Sequence, residues 1–270
     1  MDHEARREVR FPQERHRRMG DLILQRGHVS VDELIDVFSV SGPTVRRDLA
    51  FLVQAGIAVR THGGVTAASR SGGQEPLFME KMRRQQSAKS CIARAAARHV
   101  RDGMRVVLDS GTTCLALARL LAGRPLTIVA LDIKISEAAA TRETEVVAIG
   151  GRLRNGYFSV VGDETLSAIA AQEEGDIFFL SADAVDGQGI SNVTVEEANV
   201  KQAAMARARR TVLIADHTKL DRREGADVCD WNAIDLFITD RHPAAEPYEN
   251  MAVGIEYCNP DAGKQGNKTT

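Results

Sequence analysis

Between residues 105 and 239 the chain repeats one pattern: a short apolar run, a polar loop, a helical stretch, then another apolar run. Strands are expected at 105–109, 126–131, 145–149, 177–181, 211–215 and 236–239, with helices at 113–121, 134–140 and 195–209. Strands that are apolar along their whole length have no face to give to water. They are buried on both sides, which is the condition of a parallel sheet covered by helices. An α/β fold with a Rossmann-like parallel sheet follows, preceded by a longer helix from about residue 85 to residue 100.

Such sheets take ligands beyond the carboxyl ends of their strands, and the polar residues of this chain gather there. The first expected strand runs into Asp109-Ser110-Gly111-Thr112-Thr113 and then a helix. A small, hydroxyl-rich loop at a helix N-terminus offers free N–H groups and a favourable dipole to an anion. The same residues read equally as an ordinary Ser/Thr helix cap. Asp132 and Lys134 follow the second strand, Gly150, Gly151 and Arg152 the third, Asp183 the fourth, and Asp216 and Lys219 the fifth. Glu197 and Lys201 stand four apart on one face of a helix. Alone, that pair is a solvated ion pair, and Asp216 with Lys219 a surface turn. Together the groups make a pocket for a phosphorylated sugar or polyol. Its phosphate would lie on Thr112 and Thr113 and its hydroxyls on carboxylates and lysine.

Residues 28–65 carry a different pattern. Ser30 can cap a helix over 31–38, with Glu33 three residues on as a capping box requires. Leu34, Ile35 and Phe38 fall on one face. Ser41 opens a second helix with Pro43 in its first turn, where a missing N–H costs little. Val45, Leu49 and Leu52 point inward, leaving Thr44, Arg46, Arg47 and Asp48 on or near the open side. Gly56 ends that helix, 57–60 is a short strand, and 61–65 turns back as a wing. This is a winged helix-turn-helix, which sets a helix in the major groove and a loop against the backbone of double-stranded DNA. Its contact residues are Ser41, Pro43, Thr44, Arg46, Arg47, Arg60 and His62, with arginine the commonest partner of guanine. A winged helix used for protein contacts is the alternative.

The spacing VS-x-x-TVRRDL-x-x-L-x-x-x-G-x-x-x-R-x-HGG, from Val40 to Gly64, resembles the DeoR family of bacterial transcriptional regulators. DSGTT at 109–113, GGRLRNGYFSVVG at 150–162, EEANVK at 196–201 and DHTKL at 216–220 are similar to successive motifs of that family's C-terminal sensor domain. The resemblance covers roughly residues 14–240. It implies a sensor built like ribose-5-phosphate isomerase, a phosphorylated sugar as effector, repression relieved by that effector, and oligomerisation through the sensor. Leu131-Asp132 stands where the family commonly has Thr-Asn, and SADAVDG where it often has a glycine-rich stretch.

Composition narrows the rest. The net charge is −2, and residues 1–62 hold ten arginines against nine carboxylates, a balance of only +1. Non-specific attraction to DNA is therefore weak, and operator binding rests on local arginines and on a homodimer or homotetramer. There is no apolar run long enough for a membrane span and the N-terminus is not signal-like, so a cytoplasmic protein is expected. Cys91, Cys114, Cys229 and Cys258 share no metal-ligand spacing; no metal, cofactor or disulfide is expected. The expected division is a DNA-binding domain at 1–66, a linker at 67–84, an α/β domain at 85–258 and a disordered tail at 259–270. A regulator rather than an enzyme is expected. The alternative is a sugar-phosphate isomerase-like enzyme with a DNA-binding appendage, since carboxylates and lysine beside a phosphate can move protons.

Overall fold

A computed structural model describes residues 15–16, 18–20, 22–23, 28–54, 58–61, 64–67, 76–241, 248 and 253–260. The chain forms two compact units, Met1–Leu77 and Phe78–Thr270.

In the first unit, β1 (His28–Ser30) leads into α1 (Val31–Phe38), α2 (Gly42–Gln54), β2 (Ala58–Thr61) and β3 (Gly64–Ala67). The capping box is present: the Glu33 N–H donates to Ser30 Oγ at 3.1 Å and the Ser30 N–H to Glu33 Oε2 at 2.8 Å. Helix α1 stops because Ser39 turns left-handed, with φ 51°. The strands form an antiparallel sheet in the order β1-β3-β2. Leu34 and Phe38 of α1, Val45, Leu49 and Leu52 of α2, and Val29, Ala58 and Val65 of the strands close one core. Met19 and Ile23, from helical residues ahead of β1, complete it. Ile35 is only half-buried. Asp48 corrects the expectation of an open-face residue. It is 3% exposed, because Arg15 Nε reaches its Oδ2 at 2.5 Å and His16 Nε2 its Oδ1 at 2.7 Å. Gly56, Ile57, His62, Gly63 and the linker residues 68–75 lie outside the described residues.

The second unit starts earlier than expected. Residues 78–83 are helix α3 (Phe78–Arg83), so the segment expected as linker ends in ordered structure, with Phe78 buried in the core. After α4 (Gln86–Ala97) the strand–helix alternation gives β4 (Arg105–Leu108), α5 (Thr112–Leu121), β5 (Thr127–Ala130), α6 (Ile133–Ala139) and β6 (Glu145–Ala148). The hairpin β7 (Arg152–Leu153) and β8 (Val160–Val161) precedes α7 (Asp163–Ala170) and β9 (Ile177–Leu180). Strands β10 (Ala184–Asp186) and β11 (Gly189–Asn192) then lead to α8 (Val195–Met205) and β12 (Thr211–Ile214). The described chain closes with β13 (Ala226–Cys229), β14 (Leu236–Thr239) and β15 (Gly254–Tyr257).

Seven strands form one sheet in the order β15-β14-β12-β9-β4-β5-β6, parallel throughout. Alternate residues of each strand feed opposite faces, as the pleat requires. Val106 and Leu108, Ile128 and Ala130, and Ile177 and Phe179 pack with α4, α5 and α6 through Ile92, Leu117 and Ile135. Val107, Val129, Phe178 and Leu180 pack with α7 and α8 through Ile169, Ala198 and Ala204. A small antiparallel sheet, β10-β11-β13, caps the second face. The helix expected over 195–209 ends at Met205, since residues 206–209 form turns that return the chain to β12.

Candidate functional site

On the first unit, Arg46 and Arg47 of α2 and Arg60 of β2 are exposed, and no described residue pairs with their guanidinium groups. Ser41 and Pro43 are exposed at the start of α2, with Thr44 half-buried beside them. The Ser41 and Thr44 hydroxyls lie 2.8 Å apart, and the Thr44 N–H points to Ser41 Oγ at 3.4 Å. Six of the seven residues expected to meet DNA thus sit on α2, its leading turn or β2, and His62 lies outside the described residues.

The second unit has a topological switch point. From β4 the chain moves outward to β5 and β6, then returns to place β9 on the other side of β4. The loops after β4 and β9 therefore diverge, leaving a crevice at their carboxyl ends. Asp109 lies first beyond β4 and Ser181 first beyond β9. The Ser181 N–H donates to Asp109 Oδ2 at 2.9 Å, and the Ser181 hydroxyl is 2.9 Å from the same oxygen. Lys201 reaches down from α8 and donates to Asp109 Oδ2 at 2.5 Å. Both side chains are 2% exposed. Burial works to lower the Lys201 pKa, but Asp109, Glu197 and Asp183 outweigh it and the ammonium is held charged. The i,i+4 partner Glu197 does not pair with Lys201. It accepts from Ser159 Oγ at 2.8 Å and Asn192 Nδ2 at 2.9 Å, and Arg154 Nη1 lies 2.5 Å away. The surface ion pair that this spacing allows is replaced by two buried ones.

The loop after β4 opens α5 without a side-chain cap. Its N-cap is Gly111, at φ 102°, a backbone region that suits glycine alone. Ser110 spends its N–H on Asp109 Oδ1 at 2.8 Å and Gly111 on Asp132 Oδ2 at 3.3 Å. No hydroxyl caps the first turn at Thr112 and Thr113, which removes the reading of this loop as a Ser/Thr cap. Asp132 caps α6 with its other oxygen, accepting from Lys134 N at 2.6 Å and Ile135 N at 3.2 Å. Burial pushes the Asp132 carboxyl up to about 6; the three N–H donors oppose this and Asp109 adds to it.

A group of lysines lies at the same end of the sheet. Lys81 of α3 donates to Asp183 Oδ1 at 2.8 Å. Lys89 of α4 donates to the backbone carbonyls of Lys81 and, at 2.8 Å, Arg84. Burial brings Lys89 down to about 8, with Asp216 opposing and Lys219, Lys81 and Arg84 assisting. Burial and Lys81 likewise lower Lys219, against Asp183 and Asp216. Asp183 stands at about 2, because Lys81 and Lys219 overcome the upward push of its burial. Three lysines thus lie close to two aspartates. Asp216 itself is buried, taking the Thr218 hydroxyl at 2.5 Å.

The remaining expected residues are less central. Lys134 turns its ammonium to Glu137 at 2.8 Å, on the surface. Arg152 is exposed and pairs with Glu196. Gly150 gives its carbonyl to Thr165 Oγ1 at 3.1 Å. Gly151 sits at φ 139°, and a Cβ there would lie 1.8 Å from Thr165 Oγ1. Lys81, Lys89, Arg154, Ser159 and Asn192 were not expected. Lys89 carries a readable signal: it precedes Ile92 and Ala96 by three and seven residues, on the inward stripe of α4. Among the described residues no group of His, Cys, Asp and Glu is arranged to hold a metal, and no helix is long and apolar enough to cross a membrane.

The family model for a DeoR-like helix-turn-helix domain matches residues 15–71, and that for the DeoR C-terminal sensor domain matches residues 84–241. The chain belongs to the DeoR family. Among curated DeoR relatives, the putative aga operon transcriptional repressor of Escherichia coli O157:H7 is 31% identical, over 94% of this chain and 96% of its own. The putative sgc region transcriptional regulator of Escherichia coli K12 is 34% identical, over 84% and 88%. The glycerol-3-phosphate regulon repressor of that strain is 30% identical, over 91% and 98%. Among solved structures, a D-ribose-5-phosphate isomerase in complex with phospho-erythronic acid matches with a TM-score of 0.38 at 15% identity, over 50% of this chain and 54% of that one. This chain therefore spans about half the length of the isomerase it matches. That likeness is remote.

Proposed function

We propose that this DeoR-family protein represses a carbohydrate-catabolic operon and is released from double-stranded operator DNA by a phosphorylated sugar or polyol bound beyond the carboxyl ends of β4, β5, β9 and β12. The observation that carries the reading is the first turn of α5. It has no side-chain cap and stands beside the buried Lys201–Asp109 pair. Bare helical N–H groups with nearby ammonium groups are the usual cradle of a phosphate. Asn192 supports the sugar half: its amide oxygen is buried without a partner among the described residues and suits a ligand hydroxyl. The relatives' names, a glycerol-3-phosphate regulon repressor and a lactose phosphotransferase system repressor among them, agree with that ligand class.

Binding rather than catalysis is favoured because three of the site's carboxylates are already engaged with cations. Asp109 holds Lys201, Glu197 faces Arg154 and Asp183 holds Lys81. None of these is a free base. Control of DNA requires the ligand to prefer one arrangement of paired reader units. The protein is accordingly a homodimer or homotetramer on repeated half-sites, working in the cytoplasm.

The test is a thermal-shift panel of phosphorylated sugars and polyols against their unphosphorylated forms. A ligand at about a hundred times its Kd stabilises by about 2.7 kcal/mol, a shift that must depend on the phosphate. Thr112→Glu, which places a carboxylate on the proposed cradle, should abolish the shift while operator binding by gel retardation persists. A Thr112→Glu protein that still responds would move the site elsewhere. Turnover in a coupled isomerase assay would restore the enzyme reading.

A further inference from the structure

The cradle on α5 already has an anion against it. Asp132 Oδ2 accepts the Gly111 N–H at 3.3 Å, and Asp132 is 1% exposed. Where Asp109, Glu197 and Asp183 each face a cation, Asp132 makes no ion pair among the described residues. The groups around it are few. Asp109 faces it from the end of β4, the buried Cys114 thiol from the first turn of α5, where it stays protonated because burial raises it, and the Lys134 and Ile135 N–H groups from α6. Ser159 bridges to it from the segment before β8, with the Glu197–Arg154 pair behind that hydroxyl. The two cations that could have come, Lys134 and Lys201, are committed to Glu137 and Asp109. A dianion arriving on Thr112 and Thr113 therefore meets an uncompensated buried carboxylate next to its landing place.

We infer that Asp132 couples anion binding at this loop to the uptake of one proton. The proton comes from solvent and adds to a carboxylate oxygen, so that Asp132 becomes a neutral acid and Oδ2 turns from a competing acceptor into a possible donor toward the ligand. Two negative charges at close range in a buried site cannot both persist, and protonating one is the least costly escape. Burial has already brought this carboxyl to about 6, so the proton is available near neutrality. The inference rests on the reading of the α5 turn as the anion site. It adds a selection rule: the site holds anionic ligands more tightly at pH 5 than at pH 7.

Sulfate is the probe, because it is a dianion throughout this range and does not titrate itself. Titration calorimetry of the full chain should show sulfate affinity falling about tenfold from pH 5 to pH 7, the most that one group titrating near 6 can give. Asp132→Asn should be nearly flat over that range and keep at pH 7 the affinity that the natural protein has at pH 5. Asparagine caps helices as well as aspartate does, so α6 should persist. If the variant fails to fold, the natural protein still decides: titration in buffers of different ionisation enthalpy at pH 6.5 should report uptake of most of one proton per sulfate. Equal pH slopes in both proteins, or binding without proton uptake, would overturn the coupling and leave the anion site standing. Sulfate binding to neither protein at any pH would remove the anion site and the coupling together.

Discussion

Arg47 and Asp48 are neighbours on α2, yet they have opposite fates. Arg47 is exposed and unpaired among the described residues; Asp48 is buried and gripped by Arg15 and His16. Helical periodicity distinguishes the inward face from the outward face, but it cannot see a partner supplied from more than thirty residues away. A charge at the boundary therefore reads as solvent-facing until its counter-ion is known. The separation has a measurable side. Arg47→Ala should weaken specific operator binding by about 1–3 kcal/mol, the value of one good base contact, without lowering the melting temperature. An unchanged operator Kd would show that Arg47 faces away from the groove. The same limit applied to Glu197 and Lys201. Their spacing showed a shared face, but not that each would bury its charge against a different residue.

Among the elements, the parallel strands were the most legible. Six expected strands match β4, β5, β6, β9, β12 and β14 to within a residue at either end, because an unbroken apolar run is its own signal. The hairpin β7–β8 and the strands β10, β11, β13 and β15 were not anticipated. They are short, and several mix polar residues with apolar ones, so their pairing depends on neighbours rather than on pattern. The site followed the same division. Candidates at the ends of clear strands, such as Asp109, Asp183 and Asp216, are legible in the sequence, while Lys81, Arg154 and Ser159, on a short helix and on an irregular hairpin, are not. Gly151 shows how tightly that hairpin is held. At φ 139° with Thr165 in the path of any side chain, Gly151→Ala combines backbone strain with a steric clash. It should cost about 2–4 kcal/mol in urea unfolding. A loss under half a kcal/mol would mean that the hairpin is free to shift.

For the molecule as a whole, the decisive feature is that the candidate ligand site belongs to no single segment. Its ion pairs join residues 92 and 102 positions apart in sequence, Asp109 to Lys201 and Lys81 to Asp183. Loop closures of that span form late, after the strands between them have paired. During synthesis the ribosome must deliver nearly the whole sensor unit before the pocket exists. A ligand therefore has nothing to hold in a nascent or half-folded chain. A compound that emerges from the panel should leave the refolding rate of the full chain unchanged and appear wholly as slower unfolding. The regulator would then be drawn to its metabolite only once finished, and a cell rich in that metabolite would lengthen the life of each completed copy without hastening the next.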